Sequence, residues 1–175
     1  MTDPFRLRVQ KVIASTFADT IKPDNGYTFD LTDSVFRGRL YFGDTDPVPM
    51  VSILEPPMPL EALRAPPNAS TSQGEWMLLI QGFVDDDSEN PTDPAHILMA
   101  DVKRCLVVQQ KRQHALPKRG YNPFGLNDLD APNRLESFKI GAGVVRPPEP
   151  QVSNKAYFWL SLALKIVEDN GDPFR

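Results

Sequence analysis

Glu75-Trp76-Met77-Leu78-Leu79-Ile80-Gln81-Gly82-Phe83-Val84 is a nearly unbroken apolar run, followed at once by Asp85-Asp86-Asp87-Ser88-Glu89-Asn90-Pro91. Such a run predicts a central strand covered on both faces, because a strand with one solvated face alternates. The acidic cluster predicts its end: short polar side chains bond their own backbone, and Pro91 has no N–H for a ladder. Thr92 and Asp93 are candidate helix caps, and Pro94 suits a first helical position. Ala95, Leu98, Val102, Cys105 or Leu106 and Gln109 then recur on one predicted helical face, with Lys103, Arg104, Lys111 and Arg112 on the solvated side. The other strands are expected to pair around this strand-to-helix unit.

Upstream, Asp3 and Pro4 repeat the cap-then-proline signal, and Phe5, Val9, Val12 or Ile13 and Phe17 predict a first helix to about Thr20, with Arg6, Arg8, Lys11 and Asp19 on a solvated face. Lys22-Pro23-Asp24-Asn25-Gly26 breaks it. Tyr27, Phe29 and Leu31 alternate like a strand, and Val35 to Phe42 is a second β-like run with Phe36 and Leu40 on one face and Arg37 and Arg39 on the other. Gly43-Asp44-Thr45-Asp46-Pro47 is a turn signal before a strand at Pro49 to Glu55, with Met50 and Ser52 on one side and Val51 and Ile53 on the other. The reading is a β-hairpin with an acidic tip.

Two long loops, rich in proline, follow from composition: 56–73 and 117–136. Connections of that length are unusual in a compact domain. Leu60 and Leu63 in the first, and Tyr121, Phe124 and Leu126 in the second, follow no helix or strand period and are expected to order against neighbouring molecules; the alternative is that both loops fold back over an edge of their own sheet. Phe138, Ile140, Ala142 and Val144 alternate in a further strand, and Pro147-Pro148-Glu149-Pro150 makes a rigid connection. The last strand runs from Ala156 to Val167, with Phe158, Leu160, Leu162, Leu164 and Ile166 opposite Tyr157, Trp159, Ser161, Ala163 and Lys165. The polar tail from Glu168 is expected to fray.

The length and the 41% hydrophobic fraction suit a single domain, 1–175. The fold class expected is α+β: a mixed, mainly antiparallel sheet of about five or six strands with two main helices packed on it. A net charge of -4 argues against general nucleic-acid binding, leaving room for a local basic patch. The single cysteine, Cys105, on the apolar helical face, is expected to be a buried thiol. No apolar run approaches the roughly 20 residues that span a bilayer, and the opening Met1-Thr2-Asp3-Pro4 carries no basic flank, so a soluble, unexported protein is expected.

Asp85, Asp86, Asp87, Glu89, Asp93, His96 and Asp101 lie close in sequence, and carboxylates beside a histidine are the donor set for Mg²⁺ or Mn²⁺ in phosphoryl chemistry. The competing reading assigns Asp85 to Asp87 to a solvated strand stop, Asp93 to capping, and Asp101 to the helix flank it shares with Ile97. That reading is preferred, with no metal and no cofactor. The basic residues Lys103, Arg104, Lys111, Arg112, Lys118 and Arg119 lie toward a helix carboxyl end, where the macrodipole favours cations without any ligand.

The run Phe36-Arg37-Gly38-Arg39, then Gly43-Asp44, Asp46-Pro47 and Pro49 to Glu55, followed by Leu79-Ile80-Gln81-Gly82-Phe83, Asn90 to Ala95 and Ala100-Asp101-Val102, resembles the tail-terminator or tail-completion proteins of tailed bacteriophages. The resemblance spans most of positions 5 to 113. It implies a non-enzymatic virion protein of the phage tail or neck, a small α+β subunit that assembles in the host cytoplasm into a ring, commonly of six. Such a ring stops tail-tube growth and joins tail to head connector. The implied partners are further copies of the chain, the tail-tube protein and the connector proteins, with genomic DNA passing through the lumen and no membrane. The interface candidates are Arg37, Arg39, Asp44, Asp46, Leu60, Leu63, Asp85, Asp86, Asp87, Tyr121, Phe124 and Leu126. Other neck or adaptor components, and a metal-dependent phosphoryl-transfer enzyme using Asp85 to Asp87, are the alternatives.

Overall fold

The computed structural model describes residues 3–57, 71–113, 120–127 and 134–174. In chain order the elements are α1 (Phe5–Thr20), β1 (Val35–Arg37), β2 (Met50–Leu54), β3 (Thr71–Val84), α2 (Asp93–Gln110), β4 (Leu135–Arg146) and β5 (Ala156–Asp169), with 3-10 turns at Pro23–Asn25 and Pro123–Gly125. Among the described residues the strands form one five-stranded sheet in the order β1-β2-β3-β5-β4, so the apolar run that includes Trp76 and Phe83 is the middle strand. β1 and β2 are parallel, and the other neighbours antiparallel. The fold is α+β with a mixed, mainly antiparallel sheet.

Both helices pack on the same face. From α1, Phe5, Val9, Ile13 and Phe17 are buried, and from α2, Ala95, Leu98, Val102, Cys105 and Leu106, in one cluster with Val51, Ile53, Trp76, Leu78, Ile80 and the even-numbered residues Phe158 to Ile166. The helical spacings therefore pick out the core faces correctly. Capping is different: Thr92 has helical backbone angles and no side-chain cap bond, and α1 is preceded by Pro4, also without one. Asp3 instead bonds Lys11 Nζ at 2.5 Å, two turns along.

With both helices on one side, β3 is not covered on both faces along its length. Trp76, Leu78 and Ile80 are buried, but Met77 is 39% exposed and Leu79 half-buried. The expected strand at Tyr27, Phe29 and Leu31 does not form, because the Thr28 and Phe29 amides donate to Asp101 Oδ2 at 2.8 and 3.1 Å. Donors committed to a carboxylate are lost to a ladder. Asp101, one turn along α2 from Ile97, is accordingly buried, while Ile97 is 44% exposed.

The expected hairpin is also absent. β1 ends at Arg37 because Gly38, at φ +75°, turns the chain while its N–H donates to Ile53 O, leaving β1 parallel to β2. Leu40 is 59% exposed, whereas Phe36 packs against the buried Met50, Phe83 and Tyr157. Arg39 lies over the Phe36 ring at 3.7 Å, so it does not share a face with Arg37. In β4, Phe138 and Val144 do not share a face. Lys139 pairs with Ala163 and Val144 with Trp159, and a register shift between Ile140 and Gly143 adds a residue. A bulge of that kind sends every later side chain to the opposite face. The tail is tied down, since β5 runs to Asp169, Arg6 bonds Glu168 at 2.7 Å, and Phe5 N donates to Pro173 O at 3.0 Å.

Candidate interaction surface

The sheet face opposite the helices is built from the odd-numbered residues of β3 and β5 and their neighbours. At one end Met50, Phe83 and Tyr157 form a second buried cluster, with Phe36 and Phe42 packed against it. Rings follow one another from Phe42 to Phe83 (5.6 Å between centroids), Phe83 to Tyr157 (6.1 Å) and Tyr157 to Trp159 (5.4 Å). Offset and tilted rings at such distances add attraction beyond their burial. The row then opens to solvent, with Trp159 38% and Val144 51% exposed, and Met77 beyond them.

Charged side chains border this apolar centre. Lys165 pairs with Glu136 at 2.7 Å and Lys139 with Glu75 at 3.8 Å, at the end away from the aromatic cluster. At the aromatic end Glu149 Oε1 accepts from Arg146 Nε at 2.8 Å and from the Tyr157 hydroxyl at 3.1 Å. Burial pushes the Tyr157 phenol above its ordinary pKa, and the Glu149 carboxylate acts in the same direction. An exposed apolar patch rimmed by charge is the usual composition of an association surface.

The candidates named from sequence fall into three groups. Arg39, Asp46 and Asp85 belong to the border at the aromatic end: Arg39 pairs with Asp46, Asp46 accepts from Gly43 N at 2.9 Å, and Asp85 pairs with Lys155, a residue not singled out from the sequence, which lies 5.9 Å from the Phe42 ring. Arg37, Asp44, Asp86 and Asp87 are exposed, and Asp87 Oδ1 accepts the amides of Asn90 and Glu89, which hold its carboxyl below the usual range.

In the second group, Tyr121, Phe124 and Leu126 pack on this domain's own core. Phe124 is buried 5.2 Å from the Phe138 ring, and its N–H donates to Gln109 Oε1 at 3.1 Å. Their lack of periodicity reflects a loop folded back on the sheet, and for Phe124 the expectation of a place outside the core is overturned. Leu60 and Leu63, the third group, lie outside the described residues, as do most of loop 56–73 and part of loop 117–136.

The carboxylates considered for a metal do not converge. Asp101 faces Thr28 and Phe29, Asp85 faces Lys155, and His96 is exposed. Among the described residues, no three His, Cys, Asp or Glu side chains are grouped as a cation would need. No helix there is long and apolar enough to cross a membrane.

Sequence reasoning missed Met77, Val144 and Trp159 as site residues. The β5 alternation placed Trp159 on the face away from Phe158, but only the packing of both helices on the Phe158 side leaves that face open. Fold and surface together define a small α+β protein whose sheet carries helices on one face and an open, aromatic-centred face on the other. No protein-family model matches the chain, and no curated protein matches it significantly.

Proposed function

We propose that the chain is a structural, ring-forming subunit of a phage tail or neck, acting as a tail terminator and joining the tail tube to the head connector. The observation that carries the self-association is the open sheet face, where Val144, Trp159 and Met77 remain exposed at the centre of a charged border. The resemblance at Phe36 to Asp46 and Pro49 to Glu55 supplies the tail assignment, and the α+β fold is compatible with it.

A subunit that meets its neighbour through two different surfaces generates a ring when the rotation closes. The loop between β1 and β2 offers such a second surface, because Leu40 is 59% and Tyr41 74% exposed there. Burial of one such side chain contributes roughly 1.5 to 3 kcal/mol, so a few anchors per subunit suffice once repeated around a closed ring. In this reading the chain performs no catalysis, needs no cofactor, and works in the virion. The test is the mass of the purified chain, alone and mixed with a tail-tube subunit. A discrete ring that caps the tube supports the reading, and a monomer that ignores the tube overturns it.

A further inference from the structure

β3 is longer than the strand beside it. β2 pairs with it from Met50 opposite Phe83 to Leu54 opposite Leu79, so among the described residues nothing pairs with Gln73 to Leu78 on that side. The ladder stops for a chemical reason. Val51 N donates to Ser34 O and Ile53 O accepts from Gly38 N, so the odd residues of β2 face β1 and the even ones face β3. Pro56 is the next even residue, and it has no N–H to donate. By the same alternation, Gln73, Glu75 and Met77 turn their N–H and C=O groups toward the unpaired edge, where they have no backbone partner among the described residues.

A groove of about 380 Å³ runs beside this edge, lined among others by Arg6, Glu55, Trp76, Met77 and Leu78. Two further features mark it. Among the described residues the Trp76 indole N–H has no acceptor although the residue is only 5% exposed, and buried polar groups are ordinarily bonded. The charge around the groove is also unbalanced. Among the described residues, Arg6 is neutralised by Glu168, while Glu55 is met by the neutral Gln10 amide at 2.8 Å and Glu75 by Lys139 at 3.8 Å.

We propose that this edge binds an extended segment of a partner protein as an added strand, with apolar residues alternating with Lys or Arg. Backbone groups at Glu75 and Met77 supply the ladder, one set of side chains packs on Trp76 and Leu78, and the other places cations on the face that carries Glu75. A carbonyl of the segment is the acceptor that the Trp76 indole lacks. This is strand addition, in which main-chain bonds give affinity and alternate side chains give specificity. It does not depend on the ring reading, since subunit mass and peptide binding are measured separately.

The probe is a capped octapeptide of alternating valine and lysine, titrated calorimetrically into the full chain, with amide hydrogen exchange at Glu75 and Met77 read alongside. Binding is expected for this peptide and not for its valine–glutamate counterpart. Glu75→Lys is expected to weaken it about fivefold and Trp76→Phe about three- to tenfold. The two amides are expected to exchange quickly without peptide and slowly with it. Equal binding of both peptides, or indifference to both substitutions, overturns the proposal. Protection of these amides without peptide also overturns it: in the monomer the chain itself then fills the edge, and in an oligomer a second copy does.

Discussion

Val144 stands opposite Trp159 in the β4–β5 ladder, on the sheet face that carries no helix. The bulge between Ile140 and Gly143 creates this pair, since without the extra residue Val144 would join Phe138 beneath α2. Both side chains are substantially exposed, so the pair is a poor source of stability for a lone subunit and a good one for an interface. Replacing Val144 and Met77 with lysine is expected to change unfolding free energy by no more than about 1 kcal/mol while abolishing self-association. Denaturant unfolding and sedimentation of the same variant separate the two effects.

Asp101 organises the segment that replaces the expected first strand. Asp101→Ala leaves the Thr28 and Phe29 amides without their acceptor and is expected to cost about 2 kcal/mol or more, whereas Asp101→Asn, which keeps an oxygen, costs less. Urea unfolding ranks the variants, and faster hydrogen exchange at Thr28 and Phe29 locates the loss.

Cys105 is fully buried, and burial pushes its thiol pKa up to about 11, well above that of a solvated thiol. Thiolate is the reactive form, so alkylation of the native chain at neutral pH is expected only upon unfolding. The sign of the pH effect follows from the raised native value. Below the unfolded pKa the thiol is neutral in both states and its contribution is intact; above it the unfolded state gives up its proton first, so stability falls as pH rises from about 9 to about 11. The loss is on the order of 2 kcal/mol, and Cys105→Ala should remove that slope from a pH series of urea midpoints.

Phe124 separates the two kinds of loop aromatic. Phe124→Ala is expected to cost about 3 to 5 kcal/mol because the ring lies inside the core against Phe138, whereas Tyr41→Ala at an exposed position should stay within about 0.5 kcal/mol. Thermal unfolding of the two variants checks the contrast.

What the sequence expresses well is periodicity. The faces of α1, α2 and β5 follow from spacing alone, because those elements are regular and each packs one face on one core. The failures have local causes that spacing does not carry. A buried carboxylate at Asp101 removed a strand, Gly38 at positive φ turned a hairpin into a parallel pair, and one bulged residue moved Val144 across the sheet. The candidate surface was legible in part. Arg39, Asp46 and Asp85 do border it, but its apolar centre depends on which face the helices choose, a relationship between distant segments.

The central claim, a ring held in part through the open sheet face, is tested most directly by native mass measurement of the intact chain beside the Val144→Lys, Met77→Lys variant. The account predicts one closed oligomer for the unmodified chain and a folded monomer for the variant. A monomer in both, at every concentration tried, would contradict it.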